Sequence, residues 1–422
     1  MRGNVTVLYV LFWLPGKVRI ASRIFLSDFH LGCWSSRSGS ISIHSLANLS
    51  LLRTTTMSFK LSIPLVLSLL ASLSAVSAQQ CNATSLCPSS APCCSEFGFC
   101  GTGSFCLGGC NPLGSTTLSS CMPEPVCQNA NHTFPDLSRI LTNATYFDGN
   151  ATKYDWVVNQ GSIFNTNSSG GELAMILTET NGGTRLSSTR YVHYGTITAR
   201  LKTGRWGGVV TAFITMSDIK DEIDWEFPGN QTTQGQSNYF WQGYVPQKTA
   251  GETHGNLTDT FSNYHDYTID WQEDTLTWLI DGNPVRTLKR SDVTGSDGIS
   301  RYPSTPSRIE LSLWPAGINT SAPGTVEWAG GMINWDDPDY KAAGHFYALV
   351  SSVTVACADA KTNPANAESY VYGKNTSAFT PEIDVTNKTT VTSGAAPLFA
   401  SAANVWSALA AGAALALGAV FA

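Results

Sequence analysis

Nine of the eleven cysteines in this 422-residue chain lie between Cys81 and Cys127. A reduced compartment does not maintain such a density, so the segment is expected to be cross-linked and the protein secreted. Between Cys81 and Cys110 there is too little apolar material for a core to offset chain entropy, and disulfides must hold the shape. Spacing alone does not choose among the possible pairings. Cys127 and Cys357 stand at the two ends of the long stretch that follows and are a candidate staple; Cys33 falls in the leader.

Composition agrees with an extracellular β-protein. Only 13% of residues are charged, against about 25% in an average soluble protein. Ten Asn-X-Ser/Thr acceptors run from Asn82 to Asn387, as surface glycosylation of a secreted chain requires. A net charge of -6 with no long Lys/Arg run argues against a nucleic-acid partner.

The ends read as addresses. Residues 57–78 carry Lys60, an apolar run from Leu61 and small residues at Val76 and Ala78, the pattern of a cleavable secretory signal. Residues 1–56 precede it and are expected to be a gene-model extension with Met57 as the true start; the rival reading is a two-segment membrane leader. At the other end, residues 394–422 combine the small residues Gly394, Ala395 and Ala396 with an uncharged apolar tail from Val405, the spacing of a glycosylphosphatidylinositol (GPI) attachment signal. A transmembrane anchor is the alternative. Residues 361–393, rich in Ser, Thr and Asn, read as a glycosylated spacer.

Residues 123–360 show short alternating segments bounded by Gly, Asn, Asp and Pro, with a hairpin signal at Asp281-Gly282. No helical period of useful length appears, and the pattern predicts an all-β sandwich or jelly roll. Within it lies Asp221-Glu222-Ile223-Asp224-Trp225-Glu226-Phe227. On a strand, Glu222, Asp224 and Glu226 share one face, while Ile223, Trp225 and Phe227 share the other. Three carboxylates in a row repel one another, which raises some of their pKa values. Retaining glycoside hydrolysis wants such a set, one carboxylate attacking the anomeric carbon and another protonating the leaving oxygen. A solvated acidic face or a calcium site is the competing reading. His254 and His265 stand near Asp266 and Asp270 without metal-ligand spacing and read as structural. No metal and no cofactor are called for.

Two resemblances sharpen this picture. Cys93-Cys94-Ser95, Gly98 and Cys100-Gly101 resemble the hevein-type chitin-binding module, placed at residues 79–122. The resemblance implies pairing of Cys81 with Cys94, Cys87 with Cys100, Cys93 with Cys106 and Cys110 with Cys121. It also implies sugar contacts by Ser95, whose hydroxyl would fix an N-acetyl group, and by Phe97, Phe99 and Phe105, whose rings would stack on pyranose faces. The large domain resembles glycoside hydrolase family sixteen through Glu222-Ile223-Asp224-Trp225-Glu226 followed by Phe227-Pro228-Gly229-Asn230. Tyr194-Gly195, Trp206-Gly207-Gly208 and Leu311-Ser312-Leu313-Trp314-Pro315-Ala316-Gly317 extend the match. Within that family it is similar to the fungal wall transglycosylases of the Crh type.

The likeness implies a β-jelly roll with a concave face, Glu222 as nucleophile, Glu226 as acid/base and Asp224 assisting. Trp206, Tyr239, Trp241, Trp314 and Trp328 are candidate sugar platforms, with Trp241 and Trp314 first. The expected partners are chitin and β-glucan of the cell wall, with a GPI anchor at the plasma membrane and wall. Three functions compete: a transglycosylase joining chitin-type chains to β-glucan, an endo-hydrolase of β-glucan or chitin, and a non-catalytic wall-binding protein.

Overall fold

Period-two alternation of apolar and polar residues gives a strand one face for a core and one for other uses, and this chain repeats that pattern through two stacked sheets, antiparallel except where Ile140–Leu141 meets Trp156–Gln160. The structure is a computed structural model describing residues 6–14, 17–25, 79–167, 170–359, 367–376, 379 and 381–390. The expected signal segment at 57–78 and attachment signal at 394–422 lie outside the described residues. Strands β1 (Thr6–Leu14) and β2 (Lys17–Phe25) form an antiparallel hairpin in a unit of their own.

In the second unit, one sheet orders its strands β19-β18-β17-β12-β21-β10-β9, with β6 also pairing with β21. These are β6 (Ala130–Thr133), β9 (Ser162–Asn165), β10 (Leu173–Leu177), β12 (Gly195–Lys202), β17 (His265–Trp271), β18 (Thr275–Ile280), β19 (Asn283–Lys289) and β21 (Phe346–Cys357). The facing sheet runs β16-β15-β14-β13-β20-β11-β8-β7. It is built from β7 (Ile140–Leu141), β8 (Trp156–Gln160), β11 (Thr184–Val192), β13 (Val209–Ser217), β14 (Glu222–Pro228), β15 (Gly235–Phe240), β16 (Glu252–His254) and β20 (Ser307–Pro315). Two short helices, α1 (Pro323–Trp328) and α2 (Pro338–Ala343), follow β20.

One core lies between the sheets. Ile223, Trp225 and Phe227 of β14 enter it beside Phe213, Leu311, Tyr267 and Trp278. Burying side chains of this size contributes roughly 1.5–3 kcal/mol each. Two indoles also tie the sheets by hydrogen bonds: Trp225 Nε1 donates to the Thr268 carbonyl at 3.1 Å, and Trp278 Nε1 donates to the Asp224 carbonyl at 3.0 Å. The carboxylate strand is therefore held rigidly from beneath. Asp221, just before β14, accepts from the Gln242 and Ser304 amides and from Thr305 Oγ1, fixing the turns on either side.

The cysteine segment has almost no other core than its own cystines. Its disulfides are Cys81–Cys94, Cys87–Cys100, Cys93–Cys106 and Cys110–Cys121, around a hairpin of β3 (Cys93–Cys94) and β4 (Cys100–Gly101). Cys127–Cys357 joins the two ends of the large domain.

One boundary needs correction. Residues 361–393 are not a plain spacer throughout, because β22 (Ser369–Tyr372) and β23 (Ile383–Thr386) pair with each other and with β5 (Glu124–Pro125). The few apolar residues there explain it: Tyr370, Tyr372 and Ile383 are buried, packed with Val126, Tyr191 and Ile219.

Candidate active site

Strand register decides what stands beside the three carboxylates. On β13, Glu222, Asp224 and Glu226 are paired with Met216, Ile214 and Ala212; on β15, with Phe240, Asn238 and Gln236. One strand further, β20 places Arg308, Glu310 and Ser312 in the same three rows and Trp314 in the next. Paired residues share a face, so this side of the sheet, turned away from the core, carries acids at its centre and an Arg/Glu cluster two strands off.

The carboxylates are not a solvated surface. Asp224 is 1% exposed and Glu226 8%, while Glu222 keeps more of its surface in water. Burial pushes Glu226 up to about 8, helped by the charge of Glu222. Burial also lifts Glu222, to about 7, and Glu310 adds to this; contact with Asp224 and the charge of Lys220 pull it back. Asp224 is raised well above an ordinary aspartate, first by burial and then by the charges of both glutamates. Neither Asp224 oxygen has a hydrogen bond of ordinary geometry, although Glu222 is close enough to shift its pKa. At neutral pH the three cannot all ionise. They titrate as one coupled set that keeps part of its protons at neutral pH.

The aromatics divide. Trp314 lies on the carboxylate face in the row of Val210 and Pro228, stacked on Trp328 of α1 with ring centroids 6.0 Å apart. Trp328 Nε1 donates to Gln236 Oε1 at 2.8 Å, and Gln236 is the partner of Glu226. This pair thus borders the Glu226 end. Trp241 follows Phe240, the partner of Glu222, and stacks on Phe379. Just past the end of β15, its ring also lies 5.7 Å from the Arg301 guanidinium.

Two expected platforms are not on this face. Trp206 is a core residue, 6% exposed, packed on Phe346 and Phe261 with its Nε1 donating to Asp339. Tyr239 pairs with Ile223, so the strand's alternation turns it to the other side, against Arg286. The histidines are structural: His254 Nε2 bonds Ser237 Oγ at 2.8 Å, and His265 sits between Asp281 and Thr258.

In the cysteine module, Ser95 and Phe99 bond each other across the β3-β4 turn, and Phe105 packs over Gly101. Phe97, at the tip, lies 5.8 Å from the Arg185 guanidinium of β11. Arg185, Arg308 and Glu310 were not singled out from the sequence. The alternation of Arg308, Glu310 and Ser312 on β20 was the available signal, but only pairing with β13 puts it beside β14.

Comparison with known proteins completes the description. Residues 150–330 match the family model described as glycosyl hydrolases family 16. The chain is 41% identical over 291 residues to Crh-like protein 3 of Botryotinia fuckeliana, covering 68% of this chain and 64% of that protein. It is 38% identical over 314 residues to Congo red hypersensitive protein 2 of Saccharomyces cerevisiae, covering 74% and 66%. The matches span just under two thirds of these relatives. Among solved structures, Crh5 transglycosylase in complex with NAG superposes with a TM-score of 0.50 at 30% identity, over 62% of this chain and 94% of that one.

Proposed function

The chain belongs to the glycosyl hydrolases of family 16, and on that premise we propose that it is a retaining transglycosylase of cell-wall polysaccharide, cleaving chitin-type β-1,4 chains and passing them to β-glucan. The observation that carries this reading is the row Glu222, Asp224, Glu226 on one face of β14, with Asp224 and Glu226 buried and all three raised in pKa. Glu222 attacks the anomeric carbon. Glu226, which holds its proton to higher pH, delivers it to the departing glycosidic oxygen as that bond breaks. The result is a glycosyl ester on Glu222 and an ionised Glu226. An acceptor hydroxyl then attacks the anomeric carbon, giving up its proton to Glu226 as the bond to Glu222 breaks and the Glu222 carboxylate leaves, which restores both groups. Asp224, between them, steadies the Glu222 carboxylate.

Water in place of the acceptor gives hydrolysis from the same intermediate, so transfer depends on sugar subsites that occupy the site first. Trp314 with Trp328 is suited to that role, since apolar pyranose faces stack on indoles, and Trp241, just past the end of β15, is the second candidate. The solved neighbour, a transglycosylase by its name, supports the transfer reading. The cysteine module, through Ser95, Phe97, Phe99 and Phe105, is proposed to hold chitin, and a GPI anchor to keep the enzyme at the plasma membrane and wall. The deciding experiment supplies a chitin oligosaccharide donor and a fluorescent β-1,3-glucan acceptor. Incorporation of label into longer products is expected; accumulation of shortened donor with no labelled hybrid would replace transfer by hydrolysis.

A further inference from the structure

The cysteine module meets the large domain on the carboxylate-bearing face of the sheet. Glu96, next to Phe97 in the β3-β4 turn, reaches Arg185 Nη2 of β11 at 2.8 Å and Arg308 Nη2 of β20 at 3.3 Å. The same two arginines approach Glu310 at 3.7 Å. Most of this cluster is enclosed: the side chains of Arg308 and Glu310 are 5% and 3% exposed and that of Glu96 is 13% exposed, with Arg185 at the edge at 29%. A buried charge left without its partner is costly, so Glu96 and the arginines hold each other in place.

A second contact sits beside it, where the Gly109 amide donates to Asp218 Oδ1 at 3.1 Å and to Tyr191 Oη at 3.2 Å. Gly108 and Gly109 both have positive φ, and a Cβ at either would stand 2.9 Å from an Arg308 nitrogen. The module backbone is pressed against the arginine. Glu310 shares the row of Asp224, two strands away, a lateral distance of about 10 Å.

We propose that Glu96 pins the module onto the sheet, so that Phe97 and the carboxylate face form one continuous binding surface for a polysaccharide chain instead of two sites joined by a tether. This rests on the reading that a polysaccharide lies across β14. It adds a specificity consequence: a chain on the module side must be long enough to span from Glu222 past β20 before it gains the Phe97 contact.

The test uses the full secreted protein carrying Glu222→Gln, with soluble chitin oligosaccharides of increasing length titrated by calorimetry, and hydrogen exchange at the Gly109 amide as the report on docking. In the parent, affinity should rise again beyond the length that reaches Phe97, by about 3- to 10-fold for one or two aromatic contacts. Glu96→Ala should abolish that step and speed Gly109 exchange by about tenfold or more as the junction opens. Phe97→Ala should abolish the step while Gly109 stays protected, which a merely structural role for the turn would not produce. Unchanged Gly109 exchange in Glu96→Ala would overturn the pin. Released Gly109 with an intact length step would overturn the shared surface. Because neither readout depends on turnover, both stand even if turnover assays were to contradict the proposed reaction.

Discussion

Glu226→Gln tests the electrostatics of the site without an activity assay. Its carboxyl rises from an ordinary 4.5 to about 8 in the folded protein. A raised acid contributes stability that is fully present below the unfolded pKa and is lost as pH climbs through the folded one, so the penalty accumulates between pH 4.5 and 8 and is constant beyond. At about 1.4 kcal/mol per pH unit the full span amounts to about 5 kcal/mol. Water entering an open site relaxes part of this, and about 2–3 kcal/mol is the working expectation. Gln has the same shape and does not titrate. Thermal unfolding followed by calorimetry at pH 4, 6, 8 and 9 should therefore show parent and variant nearly equal at pH 4. The variant should pull ahead by about 5–10 °C at pH 8 and above, given roughly 2–4 °C per kcal/mol for a domain of this size. A pH-independent difference, or a variant less stable at pH 8, would refute a buried, proton-holding Glu226.

Other substitutions separate the roles assigned above. Glu222→Gln should abolish transfer, and its removal of charge should lower the Glu226 pKa, read by carboxyl carbon NMR; an unmoved Glu226 would contradict the coupling. Trp314→Ala should shift products from transfer toward hydrolysis in the labelled-acceptor assay, whereas Trp206→Ala should act on stability, by about 3–5 kcal/mol, because it empties a core site. Replacing Cys127 and Cys357 together by Ala should cost about 2–5 kcal/mol, measured by denaturant unfolding.

The all-β class, the cross-linked knot and the shared face of Glu222, Asp224 and Glu226 were legible in the chain because they depend on local properties: cysteine density, and alternation along a single strand. Alternation even limits the aromatics, since a residue paired with Ile223 cannot face the side of Glu222, but applying that limit to Tyr239 needs the β14-β15 register. Trp206 and Trp314 look alike in sequence, and only tertiary packing separates them. One indole is enclosed by Phe346 and Asp339, while the other lies two strands from the acids on the opposite side of its sheet. The sparse tyrosines of residues 369–372 gained a partner in β5, more than 240 residues earlier in the chain, which no local pattern announces. The same holds for Glu96: as a lone acid in a turn it carries no signal, and it acquires one when folding brings Arg185 and Arg308 to it across 89 and 212 residues of chain. Local side-chain chemistry decides which face a residue takes on its strand; what stands beside it across the sheet is set by non-local register, which exists only once the sheets have closed.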